Sequence, residues 1–522
     1  MSATAFPQSN AENAVPATRR EWLGLTVLAG AVMLVAVDGT VLDIALPFLS
    51  SDLRPTSTEL LWIIDVYSFV LAGLLVTMGT VGDRIGRRRL LLLGAAGFGL
   101  SSVVAAFAVD PTMLIAARVM QGIAGATLMP ATLGLIRTMF QVHRQRTLAI
   151  GVWGAMAGGG AAAGPLVGGY LLEHFWWGSV FLINVPIMAA LLVLGPLTIP
   201  ESKDPKPGRF DVPSAVLSIL AIVPVVYAIK ESAAHGADIA MLPVALGGVV
   251  AGIVFVRRQR RLAAPMIDLT LFAQRRFSTA VATNLLSVFA LAGVLFFGSQ
   301  YLQSVLGTSP LEAGLVMVPG TASSILASLA AAHLVRRWEA GTVLAVGLAM
   351  SSVGAAMLTR LGQTDGIPVF MASFVLVGIG AGLALTLTSD LVVGSVPAPR
   401  AGAASAVSET AYELGIALGV ALIGSVVMSV FRSGVDTSSL DASSASGARE
   451  TIGEAVSIAG SLPAEIGDVL ADSARTAFVD GMHVAAVATA VVLAVNAVLV
   501  AVALKRPERV GASEGQASTT NE

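Results

Sequence analysis

Long apolar runs, broken by short clusters of charge, glycine and proline, recur along the whole 522-residue chain. A helix needs about 20 mostly apolar residues to cross the hydrocarbon core of a bilayer. Runs of that kind fall at roughly 22–48, 60–82, 90–109, 112–136, 147–171, 179–199, 212–230 and 240–256. Six more follow at roughly 278–305, 312–335, 341–359, 367–394, 401–431 and 480–504, so the pattern predicts about fourteen spans. Backbone in lipid has no water to bond to, which leaves only helices and closed barrels. Runs this long and continuously apolar predict helices. The stretch before Arg19 is polar and contains Pro7 and Pro16. It is not expected to act as a secretory leader, because the apolar run behind it is too long and lacks a cleavage site. The stretch from Lys505 is polar and is expected to be disordered.

Composition changes the picture from apolar runs to a membrane protein. Hydrophobic residues make up 55% of the chain and charged residues 12%, about half the usual share in a soluble domain. Soluble enzyme classes are largely excluded. The net charge of −2 gives no electrostatic case for a nucleic-acid partner. Cysteine is absent, which excludes disulfides and cysteine metal sites. His143, His174, His235, His333 and His483 lie far apart and form no paired-ligand spacing, so a metalloenzyme is a poor fit.

Lysine and arginine fix an orientation. With a cytoplasmic N-terminus, 24 of the 31 basic residues fall inside and 6 outside, with Arg118 within a span. One missed or invented helix would scramble that alternation.

Three strings carry more specific information. The first joins spans 2 and 3: Gly79, Gly82, Asp83, Arg84, Gly86, Arg87, Arg88 and Arg89 in a GxxxDRxGRR pattern. Its glycines allow a tight turn and close helix approach. Asp83 can hold an arginine or the N-terminal end of a neighbouring helix. The second string, in span 4, contains Leu114, Arg118, Gln121, Gly122, Gly125 and Ala126. The third, in span 5, contains Gly160, Gly164, Pro165, Gly168 and Gly169. Small residues at that spacing let helices pack tightly, and Pro165 is expected to kink the span. In order and placement these strings resemble the signature loop, buried-arginine motif and antiporter motif of the major facilitator superfamily.

Further segments narrow the resemblance. They are Val37–Pro47 in span 1, Leu61–Ser68 in span 2, Phe181–Pro186 in span 6 and Ser408–Gly415 in span 13. Together they are similar to the 14-span drug:proton antiporter branch, of the QacA and LfrA type. Asp43 stands where that branch more commonly has Asn. The resemblance implies an all-helical major facilitator fold of two six-helix halves plus two central helices. It divides the chain into a cytoplasmic tail (1–21), a first half (22–199) and a linker with two extra spans (200–277). A second half (278–504), including a long extracytoplasmic loop (432–479), and a cytoplasmic tail (505–522) complete it.

The acids within spans matter independently of any family. A charge at mid-bilayer costs roughly 2.5–3.5 kcal/mol on insertion scales. Asp38, Asp65, Glu409 and Glu413 each fall inside an apolar run, and Asp390 falls near the end of span 12. Such residues face a cavity, pair with a base or exchange protons. Glu409 and Glu413 are spaced i, i+4 and so share a helix face, where two carboxylates disfavour simultaneous ionisation. Arg118 is the one base read within a span and can neutralise one acid at most. Asp43 lies about 140° round the helix from Asp38. Tyr67 and Tyr412, each beside an acid, are the aromatics best placed to meet a flat cation.

No GxxxxGK[ST] string is present, so an ion gradient must drive transport, and titratable acids favour protons. The expected function is proton-driven export of lipophilic, cationic compounds, by a monomer with no cofactor beyond the coupling proton and no obligate protein partner. A dedicated exporter of one endogenous metabolite is the near alternative. A membrane enzyme or receptor is remote, because no nucleophile, metal-ligand set or sizeable soluble domain is evident.

Overall fold

The computed structural model describes residues 15–205, 211–235, 239–262 and 265–504. Both tail predictions fall mostly outside them: residues 1–14 and 505–522 are not described. The first half comprises α1 (Arg19–Leu53), α2 (Ser57–Ile85), α3 (Arg87–Ala106), α4 (Pro111–Met139) and α5 (His143–His174). Its sixth span is broken at Ile183 into α6 (Ser179–Leu182) and α7 (Asn184–Thr198). The two central helices are α8 (Val212–His235) and α9 (Met241–Gln259). The second half comprises α10 (Arg275–Gln300), α11 (Pro310–Leu334), α12 (Ala340–Met357), α13 (Ile367–Gly394), α14 (Ala401–Leu418) and α15 (Gly424–Gly434). It ends with α16 (Ala442–Ala448), α17 (Ile452–Ser461) and α18 (Ala464–Ala503). A π-helical turn, Gly419–Ile423, joins α14 and α15 into one span.

Among the described residues, thirteen spans are long and apolar enough to cross a membrane. The remaining expected span is α5, 32 residues long and rich in glycine and alanine, which packs along α1. Sequence chemistry starts several of these helices. Thr56 with Glu59 and Ser309 with Glu312 form capping boxes at the second helix of each half. Gly86 separates α2 from α3 with a φ of 110°, a backbone state that side chains disfavour.

The second helix of each half packs on the fifth helix of the other: α2 on α14, and α11 on α5. The central pair packs mainly through α8 on α2, where Val223 fills the space beside Gly73. Asp211 and Arg258 clasp its base at 2.8 and 2.9 Å, and the guanidinium holds the Asp211 carboxyl below the usual carboxylate range. α9 turns Leu246, Val250 and Ile253 outward, as lipid contact favours.

Ala17 meets Gln145, and Leu504 lies beside Gly341. Both described chain ends therefore sit at the end of the bundle where the arginine clusters gather, here termed the basic end. The segment 432–479, expected as a long loop that could carry short helices, lies at the far end. Most of it is helical: α16, α17 and the first four turns of α18 form a cap over the second half. Val435, Ala448, Ile452, Ala455, Leu470 and Phe478 bury themselves against Leu361 and Phe370. Its low apolar content hid a packed cap that needs no membrane-length run.

Candidate functional site

Asp38 sits in α1 at the middle of a closed polar cluster. Arg118 of α4 donates to its Oδ2 at 2.8 Å, and Asn184 of α7 donates to its Oδ1 at 2.8 Å. Gln121, one turn from Arg118, donates to the same Oδ1 at 3.5 Å. Ser102 of α3 accepts from both Gln121 and Asn184. Asp38 is 1% exposed and Arg118 2%. The pair answers where the single in-span base goes: it neutralises Asp38. Tyr67 of α2 lays its ring 4.5 Å from the Arg118 guanidinium carbon, a separation at which a cation is attracted to the ring face.

The glycines of span 5 let this cluster form. A side chain at Gly160 would strike the Met33 carbonyl, and one at Gly164 would strike the Thr40 hydroxyl. A side chain at Gly168 would meet Val41 at 2.8 Å. These α1 residues flank Asp38, so the stripe seats α5 against the segment that carries the acid. Gly169 adjoins open space instead. The α5 helix runs continuously through Pro165, whose side chain is not among those described, and the same holds for Asp43 in α1.

Glu409 is buried and Glu413 half-buried on α14. With Gly402 and Ala406 they form one stripe, and Ala406 and Gly402 press on Gly79 of α2. Asp38 and Glu413 both act electrostatically on Tyr67. Tyr67 thus lies within electrostatic range of acids from both halves. The Tyr67 hydroxyl is buried with no hydrogen-bond partner among the described residues. Tyr412 shares its stripe with Ser408 and Gly415, which contact α10. Asp65 is half-buried on the stripe of Trp62 and Phe69, both of which contact Tyr227 of α8. It therefore looks toward the central pair.

At the basic end, Asp83 reaches across the halves. Its Oδ1 accepts from the Gly402 N–H and its Oδ2 from the Ala403 N–H, both at 3.1 Å. Arg87 donates to Asp83 at 2.8 Å and to the Ala398 carbonyl at 2.9 Å. Arg87 is fully buried at the start of α3, so Arg118 is not alone as a buried base. Arg88 stays within its own half, donating to the Ile199 carbonyl. Arg84 lies beside Asp83 in the last turn of α2. Asp390, expected near this end, pairs with Arg146 of α5.

A family profile described as Major Facilitator Superfamily matches residues 28–420. The chain belongs to that superfamily. This facilitator is 47% identical to the multidrug efflux pump LfrA of Mycolicibacterium smegmatis, over 93% of this chain and 97% of that one. It is 39% identical to the methyl viologen resistance protein SmvA of Salmonella typhimurium, covering 88% and 93%. It is 32% identical to a tetracenomycin C resistance and export protein of Streptomyces glaucescens, covering 92% and 91%. The crystal structure of the human organic anion transporter MFSD10 shares its fold, with a TM-score of 0.62 at 14% identity, over 92% of this chain and 99% of that one.

Within the facilitator fold, most of the charged and aromatic residues predicted for the site fall into three groups, with Asp65 beside the central pair and Asp390 on Arg146 apart from them. Asp38, Arg118 and Tyr67 cluster in the first half; Glu409, Glu413 and Tyr412 share α14; Asp83 and Arg87 close the basic end. Sequence reasoning left Gln121, Asn184, Ser102 and Arg146 out of the site. The first two carried a signal, being amide side chains inside apolar spans. Ser102 and Arg146 carried none.

Proposed function

We propose that the chain exports lipophilic, cationic drugs in exchange for protons, by alternating access about a cavity between its halves. The observation that carries this reading is the placement of Glu409 and Glu413. They share a face of α14 with Gly402, whose N–H Asp83 holds. Seven residues separate Gly402 from Glu409, about 10 Å of helix. A charge change at the carboxyl pair therefore acts on the same helix that closes the basic end. A cation and a proton compete for one negative charge, which is sufficient for exchange. The LfrA and SmvA relatives support the substrate class, since methyl viologen is a dication.

In this reading the basic end faces the cytoplasm, with both termini, and the helical cap lies outside. The protein works in the cell membrane as a monomer, with no cofactor and no partner beyond its drugs, protons and lipid. Exchange of one monocation for one proton is electroneutral and uses only the pH gradient. Drawing on voltage, about 2.3 kcal/mol per charge per 100 mV, needs an extra proton.

The test is ethidium transport in everted vesicles, with and without a protonophore. Uptake that collapses with the protonophore is expected; uptake indifferent to it would remove the proton from the mechanism. A second reading, a dedicated exporter of one metabolite, draws on the tetracenomycin relative. Transport of a single compound from a chemically diverse panel would favour it.

A further inference from the structure

The acid at the end of α13 has a different occupation from the other intramembrane acids. Asp390 is 4% exposed and both of its oxygens are taken by α5, a helix of the other half. Arg146 donates to Oδ1 at 2.5 Å, and the Thr147 hydroxyl donates to Oδ2 at 2.7 Å. His143 lies 3.4 Å from Oδ2, and its Nδ1 is 2.9 Å from Arg146 Nη2. Arg137 of α4 approaches the same corner and donates to the Val393 carbonyl at 3.2 Å. The cluster joins α13 to both α4 and α5, and it lies at the basic end.

The arrangement answers that of Asp83. The fifth helix of the first half is α5 and that of the second half is α14. Asp83, from the first half, holds the opening turn of α14. Asp390, from the second half, holds the opening turns of α5. Each half thus offers one aspartate, from the end of a long helix, to the start of the other half's fifth helix. Only the first of these contacts lies in the GxxxDRxGRR string.

We infer that Asp390 and Arg146 form a second latch that acts in parallel with Asp83 to hold the basic end shut. They are positioning residues, not substrate or proton sites. Opening the basic end must part Asp390 from Arg146 and Thr147, so the ion pair and both hydrogen bonds on the carboxylate are made only in the closed state. The pair therefore weights the equilibrium toward the closed state, by the difference in its interactions between the two states. This inference rests on the alternating-access reading, but its test requires neither a drug nor a gradient.

The chain contains no cysteine, so a single introduced thiol reports without background. Gly158, at the middle of α5, has nothing within 4 Å of its Cβ position. The reporter Gly158→Cys is reacted with a membrane-impermeant maleimide in right-side-out and in everted vesicles. With Asp390 intact, faster labelling from the far side is expected. Asp390→Asn and Arg146→Gln should each shift labelling toward the basic side, and Asp83→Asn combined with either should shift it further. The exchanged pair, Asp390→Arg with Arg146→Asp, should restore far-side labelling that neither exchange achieves alone. Arg146→Lys, a milder change, serves if the others fail to fold, and should shift labelling partway. Unchanged sidedness in a folded Asp390→Asn protein would overturn the latch, whether efflux survives or not. So would an exchanged pair that folds and labels like the single exchanges. Efflux that proves independent of protons would sink the transport reading while leaving the labelling result intact.

Discussion

Asp83 of the first half holds the opening turn of α14 in the second, accepting from the Gly402 and Ala403 N–H groups at 3.1 Å each. A carboxylate at a helix N-terminus gains from both the unsatisfied N–H groups and the helix dipole. In the alternating-access reading this contact is broken when the basic end opens, so it is expected to bear on the switch between states and not on drug contact. Asp83→Asn keeps the size and loses the charge. Turnover should fall several-fold while drug affinity stays nearly unchanged. Equilibrium binding of ethidium beside its initial efflux rate separates the two; weakened binding at a normal exchange rate would contradict this role.

The same closure requires two glycines to touch. A Cβ at Gly79 would come within 2.7 Å of the Gly402 carbonyl oxygen and of the Ala406 Cβ. A backbone oxygen cannot swing aside as a flexible side chain can, so Gly79→Val should prevent full approach of α2 and α14. Efflux should be lost at normal membrane abundance, and the basic end should stay open to an impermeant thiol reagent. A Gly79→Val protein with wild-type efflux would show that this approach is not needed for turnover.

The Asp38 cluster should govern folding as well as transport. Removing one partner from a buried ion pair typically costs about 3–5 kcal/mol, because the other charge remains. Arg118→Ala strands Asp38 beside only Asn184 and Gln121. It should lower the melting temperature and abolish efflux. Arg118→Lys should rescue little, since Arg118 also bonds Gln121 and the Ile63 carbonyl in fixed directions. Wild-type melting in Arg118→Ala would mean that the pair contributes nothing net.

How much of this could be read in the chain divides along physical lines. Membrane spans were legible because a bilayer demands long apolar runs, and the alternation of arginines was consistent with their number. The break at Ile183 is invisible in the apolar pattern, since both pieces are equally apolar; its mark is Pro186, which has no N–H to offer the Leu182 carbonyl. Short helices were allowed in the 432–479 loop, but their packing as a cap was not legible, because 442–478 lacks a membrane-length run and a motif, although Ile452, Leu470 and Phe478 bury deeply against the second half. Asp38 was legible as an expensive charge, and Arg118 as the base that could relieve it. That these two pair, across 80 residues, needed the helices in place. The partner of Asp390 was less accessible still. Arg146 lies 244 residues away in a run of loop-like charge, and nothing local distinguishes it from Arg144.

The last expectation concerns how the acids divide coupling and recognition. Asp38 is bound by a guanidinium and two amides, whereas Glu409 and Glu413 lie together on α14, where a cation and a proton can contend for them. Tyr67 stacks on Arg118 and lies within electrostatic range of Glu413, so both sets act on it. Neutralising Asp38 leaves Arg118 buried without its counter-charge and alters the field on Tyr67, whatever the substrate. Asp38→Asn should therefore stop transport of every compound. A monocation needs one negative partner and a dication needs two. Glu409→Gln or Glu413→Gln should thus impair some cations, and dications most. The measurement is dye efflux and resistance at matched expression, with ethidium as monocation and methyl viologen as dication. Each variant is also assayed for ethidium binding, which separates lost recognition from lost coupling. If Asp38→Asn exports both compounds, the Arg118 pair is structural only. If both glutamine variants are silent, the exchange site lies elsewhere in the cavity, and the face that α14 shares with the Asp83 contact has no part in coupling.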